Sequence, residues 1–149
     1  MKLMESGEDY LESILMIHNR KGTVRSVDIA NELNVSKASV SVAVHNLQED
    51  GYVAIDGHHE ICLTEEGRKV AEAVYERHLL FSNLLSSLGV SREAALRDAC
   101  RMEHAISAES FAALKGYLIA SGMGLAEGEG EGKEEKKGGG GVKQHKFWA

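Results

Sequence analysis

Between Arg25 and Leu63 the chain carries a pattern that few folds accommodate. Ser26 is placed to cap a short helix with apolar Val27, Ile29, Ala30 and Leu33. Asn34 supplies a tight turn, and Ser36 caps a second helix whose inward positions are Val40, Val44 and Leu47. Helices this short are marginal alone and must pack against something else. Two of them joined by a short turn form a helix-turn-helix or an ordinary helical hairpin. The second helix turns Ser36, Lys37, Ser39, Ser41, Val42 and His45 outward, side chains small or polar enough for a helix to lie in a major groove. Asp50-Gly51 then breaks the helix. Tyr52-Val53-Ala54-Ile55 and Glu60-Ile61-Cys62-Leu63 read as two strands with Val53, Ile55, Ile61 and Leu63 inward, joined by an Asp56-Gly57-His58-His59 hairpin. A wing directly after the two helices favours DNA binding over a hairpin with no ligand. Arg25 and Lys37 are the expected phosphate contacts. His58 and His59 are adjacent on a hairpin tip and diverge, which suits a solvated or phosphate-contacting tip better than a metal pair. Cys62 lies on the opposite strand face and is assigned no role.

The flanking segments are helical. Tyr10, Leu11, Ile14, Leu15 and Ile17 predict a helix over about residues 7–19, ended by Lys21-Gly22. Thr64 caps a long helix to about Ser87 with apolar Val70, Ala73, Val74, Leu80, Phe81, Leu84, Leu85 and Leu88, a stripe broad enough for a core and a partner. Gly89 ends it. Ser91 caps a further helix, and Ser107 opens the last, with Phe111, Leu114, Leu118 and Ile119. Gly122 and Gly124 close the folded part. The remainder, rich in Gly, Glu and Lys with Gly138–Gly141 in a row, reads as a flexible tail. Nothing supports a role for its terminal Lys146-Phe147-Trp148. The predicted fold is mainly α: a winged helix-turn-helix DNA-binding domain (1–63), a helical metal-binding and dimerisation domain (64–122), and the tail (123–149).

Composition narrows the function. Proline is absent, which suits a helical chain, and the net charge of −6 excludes a generic basic coat for nucleic acid. The negative excess lies wholly in residues 1–122, as ordinary solvated surface or as acids clustered to hold cations. Cys62 and Cys100 do not make a disulfide framework, and a reducing, cytoplasmic setting is expected. The apolar run Ile14–Ile17 is too short for a signal peptide or a membrane span, so no membrane partner is expected.

The chemistry concentrates in Asp98-Ala99-Cys100-Arg101-Met102-Glu103-His104. On a helix Cys100, Glu103 and His104 fall at i, i+3 and i+4 and share a face. Thiol, carboxylate and imidazole there are three donors for one divalent metal, or else a buried Cys beside a solvated Glu–His pair. Asp9 and Glu12 also share a helix face, as convergent carboxylates or as acids favoured by the helix dipole. His78 sits beside the long helix's stripe, where a structural histidine and a ligand both fit.

Glu8-Asp9-Tyr10-Leu11-Glu12, the helix-turn-helix with its wing, Arg77-His78, and Asp98 through His104 together make the chain resemble the iron- and manganese-dependent repressors of the diphtheria toxin repressor and manganese transport regulator type, over roughly residues 4–121. The resemblance is to the shorter manganese-type members, for which no SH3-like third domain is expected. The resemblance implies a homodimeric repressor that binds double-stranded operator DNA, senses Mn(II) or Fe(II) with one or two ions per protomer, and controls metal-uptake genes. It implies metal ligands at Asp9, Glu12, His78, Cys100, Glu103 and His104. Asp9 and Glu12 follow the manganese type and Cys100 the iron type. Position 9 is not the Met of the iron type. Ser82 and Leu96 stand where that type has second-site Glu and His ligands, so its ancillary site is absent. Two other readings compete: a metal-independent winged-helix regulator of another ligand, which leaves the donor set unexplained, and a small metallohydrolase, for which no nucleophile or base exists beside the candidate ligands.

Overall fold

The computed structural model describes residues 3–122. Helix α1 (Glu5–Lys21) runs beyond the predicted 7–19 by two residues at each end and buries Tyr10, Leu11, Ile14, Leu15 and Ile17. Gly22, at φ 86°, ends it by donating its N–H to the His18 carbonyl, a left-handed stop that glycine adopts without penalty. Helices α2 (Ser26–Leu33) and α3 (Lys37–Glu49) follow, joined through Asn34 in the left-handed region at φ 55°. Ser36 caps α3 by accepting the Ser39 N–H, and Val40, Val44 and Leu47 are buried as expected.

Two details of α2 differ from the sequence reading. Ser26 is the first helical residue and Arg25 the cap position, because the Asp28 carboxylate reaches back to accept the Arg25 N–H at 3.0 Å. Val27 is 42% exposed, since α1 and α3 cover only the Ile29–Ala30 side.

Strands β1 (Val53–Ile55) and β2 (Ile61–Leu63) pair antiparallel, Val53 against Leu63 and Ile55 against Ile61. The Ile61 N–H donates to the Val24 carbonyl at 2.8 Å, which ties the wing to the segment after α1. The expectation that Ile55 points inward is corrected: it is exposed, and Leu63 is only half-buried. A two-stranded wing reaches past the domain core, so its ladder is covered on one side only in part.

The wing then turns into α4 (Glu65–Ser87). Thr64 accepts the Gly67 N–H, donates its hydroxyl to the Gly51 carbonyl at 2.6 Å, and its own N–H meets the Tyr52 carbonyl at 3.0 Å. The turn is so tight that a Cβ at Gly67 would lie 1.9 Å from the Tyr52 oxygen. Helices α5 (Arg92–Ala105) and α6 (Ala108–Ala120) complete the fold, each opened by a serine hydroxyl that accepts the N–H three residues on.

Two apolar cores result. The first joins α1, α2, α3, the wing and Ala71 of α4. The second joins Leu80 and Phe81 of α4 with Ala99, Phe111 and Leu118, and Phe81 meets Phe111 edge-on at 6.3 Å. Each large side chain so buried contributes on the order of 1.5–3 kcal/mol. Helix α4 belongs to both cores and packs on both α1 and α5. The expected stripe is otherwise incomplete: Ala73, Leu88 (71% exposed) and, on α6, Ile119 (55%) face outward, because none of the described elements covers them. The predicted tail lies outside the described residues.

Candidate metal centre and nucleic-acid interface

Between the two cores lies a polar cluster, drawn from three helices. Helix α1 supplies Glu8, Asp9 and Glu12. Helix α4 supplies His78 and α5 supplies Cys100, Glu103 and His104. Glu12, His78 and Glu103 are buried. All six predicted ligands come together, in two groups that share one residue. In the first group, one donor atom from each of Asp9, Cys100, Glu103 and His104 lies within 4.8 Å of the others. In the second, the same holds for Glu12, His78 and Glu103.

Glu103 joins the groups through its two oxygens. Oε1 is 3.3 Å from His104 Nε2, and Oε2 is 3.0 Å from His78 Nδ1. His104 Nε2 also meets Asp9 Oδ1 at 2.7 Å, while Nδ1 faces Glu8 Oε2 at 3.5 Å. The α5 spacing brings Cys100, Glu103 and His104 to one side of that helix. The end of α5 is held by Arg77, whose Nη1 donates to the carbonyls of Glu103 and Ile106, both at 3.3 Å, while its guanidinium lies over the Phe111 ring. Sequence reasoning assigned no structural role to Arg77 or Glu8. Nothing local distinguishes either from an ordinary surface charge.

The electrostatics are those of an acid-rich, desolvated pocket. Burial, reinforced by the Glu103 and Asp9 carboxylates, pushes Glu12 up to about 10. Burial also opposes ionisation of Glu103, but hydrogen bonds from His104 and His78 outweigh it and hold that carboxyl below its ordinary range. Burial would lower His104, yet Asp9, Cys100, Glu103 and Glu8 overcome it and raise the imidazole. Burial raises the Cys100 thiol.

This cluster fits a divalent cation. Both Glu12 oxygens are buried and receive no hydrogen bond. A buried carboxylate without a donor is costly unless a proton or a cation neutralises it. Three carboxylates, two imidazoles and a thiol from three helices supply oxygen, nitrogen and sulfur donors of the kinds first-row metals take. Arg77 and the α1–α4–α5 packing hold the donors near one another.

The predicted DNA-contacting residues form a second surface. Ser36, Lys37, Ser39, Ser41, Val42 and His45 are all exposed along α3, and Arg25 is exposed at the start of α2. Val42, at 63% exposure, is a large apolar side chain turned to solvent. Three of the set are already engaged: the Ser36 hydroxyl caps α3 and bonds the Ser39 hydroxyl at 2.9 Å, and His45 pairs with Glu49 at 3.2 Å. At the wing tip the Asp56 carboxylate accepts the His58 and Glu60 N–H groups, and His59 sits at φ 61°. No metal-ligand group among the described residues includes His58 or His59. Nor is any helix there long and apolar enough to cross a membrane.

Known proteins resemble this chain over both parts. Residues 2–60 match the family model described as iron dependent repressor, N-terminal DNA binding domain, and residues 64–119 match iron dependent repressor, metal binding and dimerisation domain. The chain is 37% identical over 102 residues to the HTH-type transcriptional regulator MntR of Geobacillus kaustophilus, covering 68% of this chain and 72% of the relative. It is 37% identical over 115 residues to the transcriptional regulator MntR of Salmonella typhimurium, covering 77% and 73%. A solved structure titled manganese-dependent transcriptional repressor complex with manganese superposes with a TM-score of 0.68 at 29% identity, over 76% of this chain and 52% of that one. The chain thus spans about half the length of that structure and nearly three quarters of the two regulators. A DNA-binding part and a metal-binding part, each matched by its own family model, settle the assignment: the chain belongs to the iron-dependent repressor family and is a metal-dependent, DNA-binding transcriptional regulator.

Proposed function

We propose that this chain is a repressor that senses Mn(II) or Fe(II), binds double-stranded operator DNA as a homodimer in the cytoplasm, and controls metal-uptake genes. The observation that carries the reading is the sharing of Glu103. Its two oxygens face separate donor groups, Asp9–Cys100–His104 and Glu12–His78, so the six residues would hold one or two ions per protomer, with Glu103 common to both groups. The DNA-binding part is residues 1–63 and the metal-binding and dimerisation part 64–122, with the donors drawn from both.

Bound there, a divalent cation would supply positive charge to an anionic pocket and hold its donors in one geometry. Asp9 and Glu12 belong to α1, which packs on α2 and α3, whereas His78, Cys100, Glu103 and His104 belong to α4 and α5. Ligation therefore links the orientation of α3 to the dimerisation helices. The outward Leu88, Tyr117 and Ile119 suit a face against a second copy. Two copies of α3 then need a separation of about 34 Å, one turn of DNA, to enter successive major grooves. Ser39, Ser41, Val42 and His45 face the bases, Val42 suiting a thymine methyl, and Ser36, Lys37 and Arg25 face the backbone.

Three carboxylates favour Mn(II), and a thiolate at Cys100 raises affinity for Fe(II), Co(II) and Zn(II) more than for Mn(II). Mn(II) is the expected activator, with Fe(II) close behind. The test is fluorescence anisotropy of a promoter fragment, at fixed salt, with chelated protein and then with Mn(II), Fe(II), Co(II) or Zn(II). Tight binding only in the metallated protein is expected. Equal affinity with and without metal overturns the reading.

A further inference from the structure

Resting on that reading of the metal centre, we propose that Glu8 is the residue that positions His104 for ligation, by accepting the hydrogen bond of the ring nitrogen turned away from the metal. The two nitrogens of His104 have different surroundings. Nε2 faces the donor group, 2.7 Å from Asp9 Oδ1 and 3.3 Å from Glu103 Oε1. Nδ1 points the other way, is buried, and makes no hydrogen bond in the present geometry. The carboxylate opposite it is Glu8, with Oε2 at 3.5 Å. The His104 side chain is only 4% exposed, so water is a poor substitute partner.

A neutral imidazole carries one proton, and the nitrogen without it is the ligand. For Nε2 to be the ligand, the proton must stay on Nδ1. A carboxylate opposite Nδ1 fixes that tautomer, locks the ring plane and raises the basicity of Nε2, as carboxylate–histidine–metal arrangements do. Glu8 and Asp9 thereby divide one imidazole between them: consecutive acids on α1 address opposite ring edges, one as the partner of the outer nitrogen and one as a ligand beside the inner. Closing the gap from 3.5 Å to hydrogen-bond length needs a movement of about half an ångström. Glu8 is 24% exposed, which leaves its side chain room to make it. Because Glu8 lies in the first turn of α1, the helix that carries Asp9 and Glu12, the contact also ties that end of the DNA-binding part to α5.

The test uses the full chain. Glu8→Ala should weaken Mn(II) binding, read by competition with a fluorescent chelator, about 10- to 100-fold. Glu8→Gln keeps a carbonyl acceptor and should recover most of that loss. In the Zn(II)-loaded protein, used as a diamagnetic probe, the Nδ1 proton of His104 should give a slowly exchanging imidazole resonance by ¹⁵N-edited NMR. That resonance should be present in the unsubstituted protein and in Glu8→Gln, and absent from Glu8→Ala. Metal-free melting of the two variants should match the unsubstituted protein. Glu8→Ala protein that binds Mn(II) within twofold of the unsubstituted chain overturns the positioning role, as does equal loss in Glu8→Gln with a matching drop in metal-free melting, which marks Glu8 as packing. Failure of the unsubstituted chain to bind Mn(II), Fe(II) or Zn(II) overturns the metal centre itself and this inference with it.

Discussion

Glu12 makes the metal centre costly to the metal-free protein, and the cost can be measured. Its carboxyl is buried beside Glu103 and pushed from an ordinary 4.5 up to about 10. At neutral pH the metal-free folded protein therefore carries Glu12 protonated, able to donate to Glu103, while the unfolded chain carries it ionised. A carboxyl whose pKa rises on folding holds its proton more tightly in the folded state. Stability is then full below about pH 4.5 and falls as the pH climbs toward the folded value. Glu12→Gln replaces the protonated carboxyl with a neutral group of the same shape, whose amide can make the same donation. It removes the penalty. At roughly 1.4 kcal/mol per pH unit, the interval from 4.5 to pH 7 amounts to about 3 kcal/mol in favour of the variant. At pH 5 the advantage shrinks below about 1 kcal/mol.

Urea unfolding of both proteins in chelator, followed by far-ultraviolet circular dichroism at pH 5 and pH 7, reads the difference directly. Repeating the measurement with Mn(II) should erase most of the difference. A ligand at 100 times its dissociation constant adds about 2.7 kcal/mol, and the amide, a poor ligand, should forfeit much of that. A Glu12→Gln protein no more stable than the parent at pH 7 in chelator, or equally favoured at both pH values, refutes the reasoning.

Other consequences are as direct. Mn(II) loading at pH 7.5 should release a proton from Glu12, seen as a binding heat that varies with buffer ionisation enthalpy, and Glu12→Gln should release fewer. Gly67→Ala drives a methyl into the Tyr52 carbonyl and should destabilise the fold by at least about 2 kcal/mol in urea unfolding, whereas a change below about 0.5 kcal/mol would mean the wing–α4 turn is slack. Lys37→Ala should weaken binding to all DNA sequences alike and lower the salt slope by about one, while a loss confined to one base pair would make Lys37 a base reader. In the Co(II) protein a sulfur-to-metal band in the near ultraviolet should vanish in Cys100→Ala, and its absence from the parent would leave Cys100 as packing.

What the sequence discloses here is what is local. The caps at Ser36, Thr64, Ser91 and Ser107 are each a hydroxyl three residues before its donor, a relation the sequence states outright. Ser26 is the exception because Asp28 caps backward from inside the helix, which leaves the boundary one residue earlier. Apolar spacing is equally plain, but it reports that a face is apolar and not what covers it. Ile55, Leu88 and Ile119 share the pattern of Val53, Leu80 and Leu118 and yet lie outside, one past the edge of a two-stranded wing and two where no described element is set against them.

The donor cluster divides the same way. Cys100, Glu103 and His104 are legible because one helix turn brings them together. Asp9 and His104 stand 95 residues apart, and only the resemblance joins them ahead of the fold. Glu8 and Asp9 show where even the resemblance stops. As neighbours on a helix they point about 100° apart, and no spacing rule says which of the two meets Nε2 and which Nδ1. That is settled by the approach of α5 to α1, through the Arg77 hold on the end of α5 and the packing of both helices on α4. The chemistry of each residue can thus be read from its type, while its role in the centre is fixed by a contact between helices that no single segment encodes.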